Sequence, residues 1–83
     1  MLYRLYTEDK GDLITLVGRY FDGATIIPAR GLWDLIAEKS VVIDIITALP
    51  EDNKVEALVF DIKFFNHQES VLVVAINETH KFI

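Results

Sequence analysis

Apolar and polar positions along this chain follow two different periods. Leu13, Leu16, Val17 and Tyr20 fall at i, i+3, i+4 and i+7, one face of a helix. This helix is expected to start near Thr7 or Asp9, whose side-chain oxygens can cap free backbone amides, although Gly11 and Gly18 weaken it. Val55, Leu58, Val59, Ile62 and Phe65 trace a second helical stripe that ends at Asn66. Pro50 is expected at its first helical position, with Glu51 and Asp52 complementing the dipole. The other apolar runs are strand-like. Leu2–Thr7 alternates weakly, while Ser40–Ala48 and Ser70–Ile76 are apolar on both faces. Asp22-Gly23 signals a turn, and Ala24–Trp33 reads as an extended segment interrupted by Pro28. Proline cannot donate a ladder hydrogen bond, so that strand should lie at an edge or carry a bulge. Asp34–Lys39 is expected to connect it, hairpin-like, to the next strand. Residues 77–83 are either a short tail or a further pairing segment.

The order β-α-β-β-α-β predicts a single α+β domain over residues 1–83, of ferredoxin-like layout. Its four-stranded antiparallel sheet carries both helices on one face, with the first and third strands central and adjacent. The helix-covered face takes Tyr3 and Leu5 with Val41, Ile43 and Ile45. The opposite face takes Leu2, Arg4, Tyr6, Val42, Asp44 and Ile46, with alternate residues of the last strand, and Arg4 can pair with Asp44 across it. Burying one large apolar side chain is worth roughly 1.5–3 kcal/mol. Leaving about five of them wet forfeits on the order of 10 kcal/mol, comparable to a whole domain's stability. Sheet-to-sheet or edge-to-edge homo-oligomerisation is therefore expected.

Composition sharpens this picture. Hydrophobic residues make up 52% of 83 residues, near the lower size limit for a self-sufficient core. Mean hydropathy is +0.31. Eight basic against thirteen acidic residues give a net charge of -5, which argues against DNA or RNA as a partner. The absence of cysteine removes disulfides, thiolate catalysis and thiolate metal sites. The opening MLYRLYTEDK lacks a signal-peptide apolar run, and no uncharged stretch reaches the length of a membrane span. A cytoplasmic protein without a membrane partner is expected.

Three stretches, FDGATIIPARGLW, EKSVVIDI and NHQESVLVV, occur in this order over about residues 20–76. In them the chain resembles a family of small bacterial proteins of unknown function. That family has an F-x-G-x-T opening on its second strand, a G-x-W close, an E-x-S entry to the third strand and a QESVL segment opening the last. The resemblance implies a ferredoxin-like domain and no particular activity. The chain lacks the longer, more polar hairpin that those proteins often carry between the second and third strands. More loosely, the architecture is similar to PII-type and CutA-type trimers, which bind small anionic ligands or metals between subunits. That likeness is one of fold, and fold does not fix function.

Catalytic chemistry has little local support. His67 and His80 lie in no metal or nucleophile spacing, and Ser40 and Ser70 open strands without a glycine elbow. The four glycines do not cluster into a phosphate loop, and the carboxylates Asp9, Asp12, Asp22, Glu51 and Asp52 sit at helix starts or turns. No enzyme activity, cofactor or metal site is expected. For ligand binding, Arg30 and Trp33 flank the end of the proline-broken strand, with Gly31 allowing close backbone approach. An arginine fork suits phosphate, and an indole offers a stacking face. The alternatives are an exposed or acid-paired Arg30 and a Trp33 that plugs the hairpin or a subunit contact. Lys39 adds charge, Tyr6 aromatic surface, and Gln68 and Ser70 polar groups, although Gln68 can equally close the helix-to-strand loop.

The expectation is a non-enzymatic homo-oligomer that holds an anionic small molecule or nucleotide between subunits. Sequestering a host immune nucleotide, as a phage protein would, needs only such a pocket. The alternative is a structural or interaction module that docks a protein partner through the apolar sheet face. A third reading is a small dimeric α+β-barrel enzyme using His67.

Overall fold

The computed structural model describes residues 1–77. Six elements follow in order: β1 (Leu2–Glu8), α1 (Leu13–Gly18), β2 (Thr25–Trp33), β3 (Ile36–Ile46), α2 (Asp52–Asn66) and β4 (Leu72–Ile76). The strands form one antiparallel sheet in the order β2-β3-β1-β4, so β1 and β3 are central. This is the ferredoxin-like α+β layout. Proline-bearing β2 lies at an edge, as its missing donor requires.

Alternation along the two central strands decides what is buried. Tyr3 and Leu5 of β1 sit opposite Ile45 and Ile43 of β3, and all four join Val41 in the core. The helices close over this face with Leu13, Leu16 and Val17 from α1 and Val55, Leu58 and Ile62 from α2. Tyr20 ties the two helices together, its hydroxyl donating to Asp61 Oδ2 at 2.6 Å. The other parity, bearing Arg4, Tyr6, Val42, Asp44 and Ile46, has no helix over it among the described residues, although Leu2 at its end, expected to be open with them, is buried.

Several boundaries differ from those expected. The first helix starts neither at Thr7 nor at Asp9, because β1 still pairs Glu8 with Ser40 and the Asp9 N–H donates to Lys39 O at 3.1 Å. Gly11 then takes a positive φ of 65°, where a Cβ would lie 3.3 Å from Asn66 Oδ1. The cap is Asp12, whose carboxylate accepts from the Thr15 N–H and hydroxyl, and these bonds lower its pKa. Pro50 precedes the second helix instead of entering it: Glu51 is the cap residue and Asp52 the first helical one.

The β2–β3 connection is tighter than the expected Asp34–Lys39 segment. Trp33 pairs with Ile36, leaving only Asp34 and Leu35 as the turn, at φ of 49° and 64°. Such a turn favours Asn-Gly, so Leu35 adopts a backbone region costly for a branched side chain, with 93% of its surface exposed. β3 accordingly begins at Ile36 and β4 at Leu72, each displaced from the expected Ser40 and Ser70 starts. The hairpin continues four residue pairs past the end of β1, from Arg30–Lys39 to Trp33–Ile36, as a two-stranded arm.

The α2 stripe is Val55, Leu58, Ile62 and Asn66. Phe65 lies outside it, exposed, beneath the Arg19 guanidinium at 5.6 Å from the ring centroid and edge-on to Phe64. His67 caps the helix in a left-handed conformation at φ 54°. His80 and the segment from residue 78 onward lie outside the described residues.

Candidate functional site

The six residues singled out from the sequence fall in three places. Arg30 and Lys39 come together: they are direct partners in the β2–β3 ladder, both exposed on the arm beyond β1. Residues directly opposite in an antiparallel pair project to the same side, so two cations stand next to each other. Among the described residues neither is in an ion pair. Trp33 is placed by its backbone, at the last position of β2 opposite Ile36. Gly31 lies close against the neighbouring strand: a Cβ there would meet Ser40 Oγ at 2.8 Å and Glu38 Cγ at 3.3 Å, so a larger residue would have to displace those side chains. Its space is therefore taken by the neighbouring strand's side chains.

Gln68 and Ser70 belong to the α2–β4 junction. The Gln68 carbonyl oxygen accepts from the Thr7 hydroxyl at 2.9 Å and from Asn66 Nδ2 at 3.0 Å, while Nε2 donates to the Ser70 carbonyl at 2.8 Å. Both ends of the amide are engaged in closing the loop and tying it to β1. Tyr6 stands apart from these groups, on the uncovered face between Val42 and Leu72, with 40% of its surface exposed.

That uncovered face has a definite pattern. At its centre the Arg4 guanidinium grips Asp44 through two bonds, Nε to Oδ1 at 2.8 Å and Nη2 to Oδ2 at 3.0 Å. The Asp44 carboxylate, through hydrogen bonding and charge, raises the Arg4 pKa further above its ordinary value. Around the pair lie Tyr6, Ile27, Ile46, Leu72, Val74 and Ile76, all exposed. The exposed apolar side chains thus form a contiguous patch around a single ion pair.

A second feature escaped the sequence reading. Between α2 and β4 runs a groove of about 370 Å³, walled by Val55, Val59, Val73 and Ala75 and rimmed by Asp52 and Glu56. Tyr3 lies at its base. Its hydroxyl donates to Asp52 Oδ1 at 2.5 Å and accepts from the Glu51 N–H at 2.8 Å, satisfying one of the free backbone donors at the start of α2. Only the long-range pairing of β1 with β4 creates this groove, so no local sequence signal marks it.

Burial, reinforced by the Asp52 carboxylate, raises the Tyr3 phenol pKa above its ordinary 10.0. The native state then holds this proton more tightly than the unfolded chain does. The stabilisation is full below pH 10.0 and is lost as pH rises through the higher native value. Tyr3→Phe is expected to cost about 1–2 kcal/mol at neutral pH through the lost bonds. It should also flatten the fall in stability above pH 10, leaving the part due to Tyr20, whose pKa its bond to Asp61 raises. Urea unfolding of both proteins between pH 7 and 11 measures this.

Among the described residues no three His, Cys, Asp or Glu side chains converge to hold a metal ion, and no helix is long and apolar enough to cross a membrane. Comparison with protein-family models, curated proteins and solved structures finds no match to this chain.

Proposed function

We propose that this chain is a non-enzymatic cytoplasmic homo-oligomer that binds an anionic small molecule, with a nucleotide or cyclic nucleotide as the class that fits. The supporting observation is the side-by-side placement of Arg30 and Lys39. Like charges directly opposite in a ladder are destabilising, and an anion bridging them reverses the sign of that interaction. A guanidinium fork matches phosphate oxygens in a bidentate way, and the neighbouring ammonium adds a point charge. The Gln68 amide is already engaged and Tyr6 is on the uncovered face, so within one copy they do not complete this site. Contacts to the rest of the ligand would come from a second copy. Retaining a nucleotide signal, as in phage sequestration of a host defence messenger, asks nothing more of the protein than affinity.

A panel of linear and cyclic nucleotides tested by thermal shift checks this. A true ligand at a hundred times its Kd adds about 2.7 kcal/mol and raises the melting temperature by about 10–20 °C. The shift should shrink in Arg30→Ala and vanish in the Arg30→Ala, Lys39→Ala double variant. No shift with any member of the panel overturns the ligand assignment.

The second reading is an interaction module that docks a protein through the uncovered sheet face. It is favoured by the ring of exposed apolar side chains around Arg4 and Asp44. A stoichiometric partner that co-purifies with the wild type and is lost with Ile46→Lys would support it over the ligand assignment.

A further inference from the structure

The two edges of the sheet are built differently. On β2, Pro28 supplies no N–H and Arg30 a charge, both of which discourage another strand from adding. β4 has no such guard. Its five residues, Leu72 to Ile76, contain no charge, proline or glycine, and every one is exposed. Its outer backbone groups have no strand partner among the described residues. Unpaired, uncharged edges of this kind are templates for strand addition.

We propose that β4 pairs antiparallel with β4 of a second copy, about a two-fold axis at Val74, joining two four-stranded sheets into one of eight strands. The proposal rests on the self-association in the functional reading above and is independent of the ligand. The segment is complementary to itself in this register: Leu72 faces Ile76, Val73 faces Ala75 and Val74 faces its own copy. Every cross-strand pair is then apolar, and the alternation that sorts the two faces continues unbroken across the axis.

The flanking helix adds a charge match. In a β3-α2-β4 crossover, with β3 and β4 both antiparallel to β1, α2 runs opposite to β4. Asp52 and Glu56 rim the groove at one end, and Val59 and Lys63 follow on the same stripe by helical spacing. A two-fold axis at Val74 reverses the second helix, setting the acidic end of each against the Lys63 end of the other. The arrangement is isologous, so it closes at two copies.

The test is sedimentation equilibrium of the full chain at micromolar concentration, with circular dichroism confirming that each variant is folded. Wild type is expected to be a dimer. Val73→Lys alters the groove side of β4, at a residue outside the main core cluster, and should weaken the dimer at least tenfold. Lys63→Glu should weaken it by a smaller factor. Ile46→Lys, on the uncovered face, should leave it intact. Independently of any variant, amide exchange over Leu72–Ile76 should slow as protein concentration rises.

A dimer that survives Val73→Lys but is lost with Ile46→Lys overturns the edge assignment and leaves self-association standing. A monomer in which the β4 amides that point away from β1 are protected at every concentration also overturns it. A monomer in which those outward amides exchange freely overturns self-association itself.

Discussion

Ile43→Ala is expected to lower the melting temperature by about 10–30 °C, the largest single effect in the molecule. Ile43 has no exposed surface and sits mid-strand in β3, with Leu5 of β1 on one side and Ile26 of β2 on the other. Both neighbouring strands are hydrogen-bonded to β3, so the backbone cannot close in on the lost volume. The cost is the transfer free energy of the missing methyl and methylene groups plus that of an unrelaxed cavity, about 2–5 kcal/mol. A small domain holds about 5–15 kcal/mol in total, and each kcal/mol shifts its melting temperature by about 4–8 °C. The matched control is Ile27→Ala, one residue along β2 from Ile26 but on the uncovered face, which should change stability by under about 0.5 kcal/mol in the monomer. Calorimetric or fluorescence melting distinguishes the two. Equal losses would mean that the assignment of faces by strand parity is wrong.

The second large effect concerns Arg4 and Asp44. Arg4→Met removes the cation and leaves Asp44, with only 18% of its side chain exposed, without its charge partner. Removing one member of a fully buried pair costs about 3–5 kcal/mol. Here the Arg4 side chain is 38% exposed and water screens the site, so about 1–3 kcal/mol is the expected loss in the monomer. The double variant Arg4→Met, Asp44→Leu should recover most of it, since no unpaired charge remains on an apolar surface. A double-mutant cycle from urea unfolding measures the coupling. Additive losses would show that the pair contributes no interaction of its own. Should a partner cover this face, the single-variant cost rises towards the buried range, and the cycle then depends on protein concentration.

Much of the fold was legible because strand alternation is a local signal. The parity that buries Tyr3, Leu5, Val41, Ile43 and Ile45 follows from reading every second residue, and the same reading sets Arg4 against Asp44. What escaped depended on backbone states that the residue types do not advertise. Leu35 occupies a left-handed turn position where Gly or Asn would have announced a two-residue hairpin, so the connection read as longer than it is. Apolar spacing carries the α2 stripe through Phe65, whereas the buried position is Asn66, a polar residue held by Gln68 next to the β1 terminus. The candidate site shows the same division. Arg30 and Lys39 could be named separately, but their adjacency depends on hairpin register, which that two-residue turn determines. The α2–β4 groove needs β1 and β4 to meet, and no window of sequence contains both.

That meeting has a consequence for how the protein comes into being. β1 is made early and lies between β3 and β4, and β4 comes last in the chain among the described elements. Until β4 leaves the ribosome, the central strand has one flank bare. Partly made chains would therefore display Leu5 and Tyr3 beside an open edge. The polypeptide should commit to its native state late and all at once.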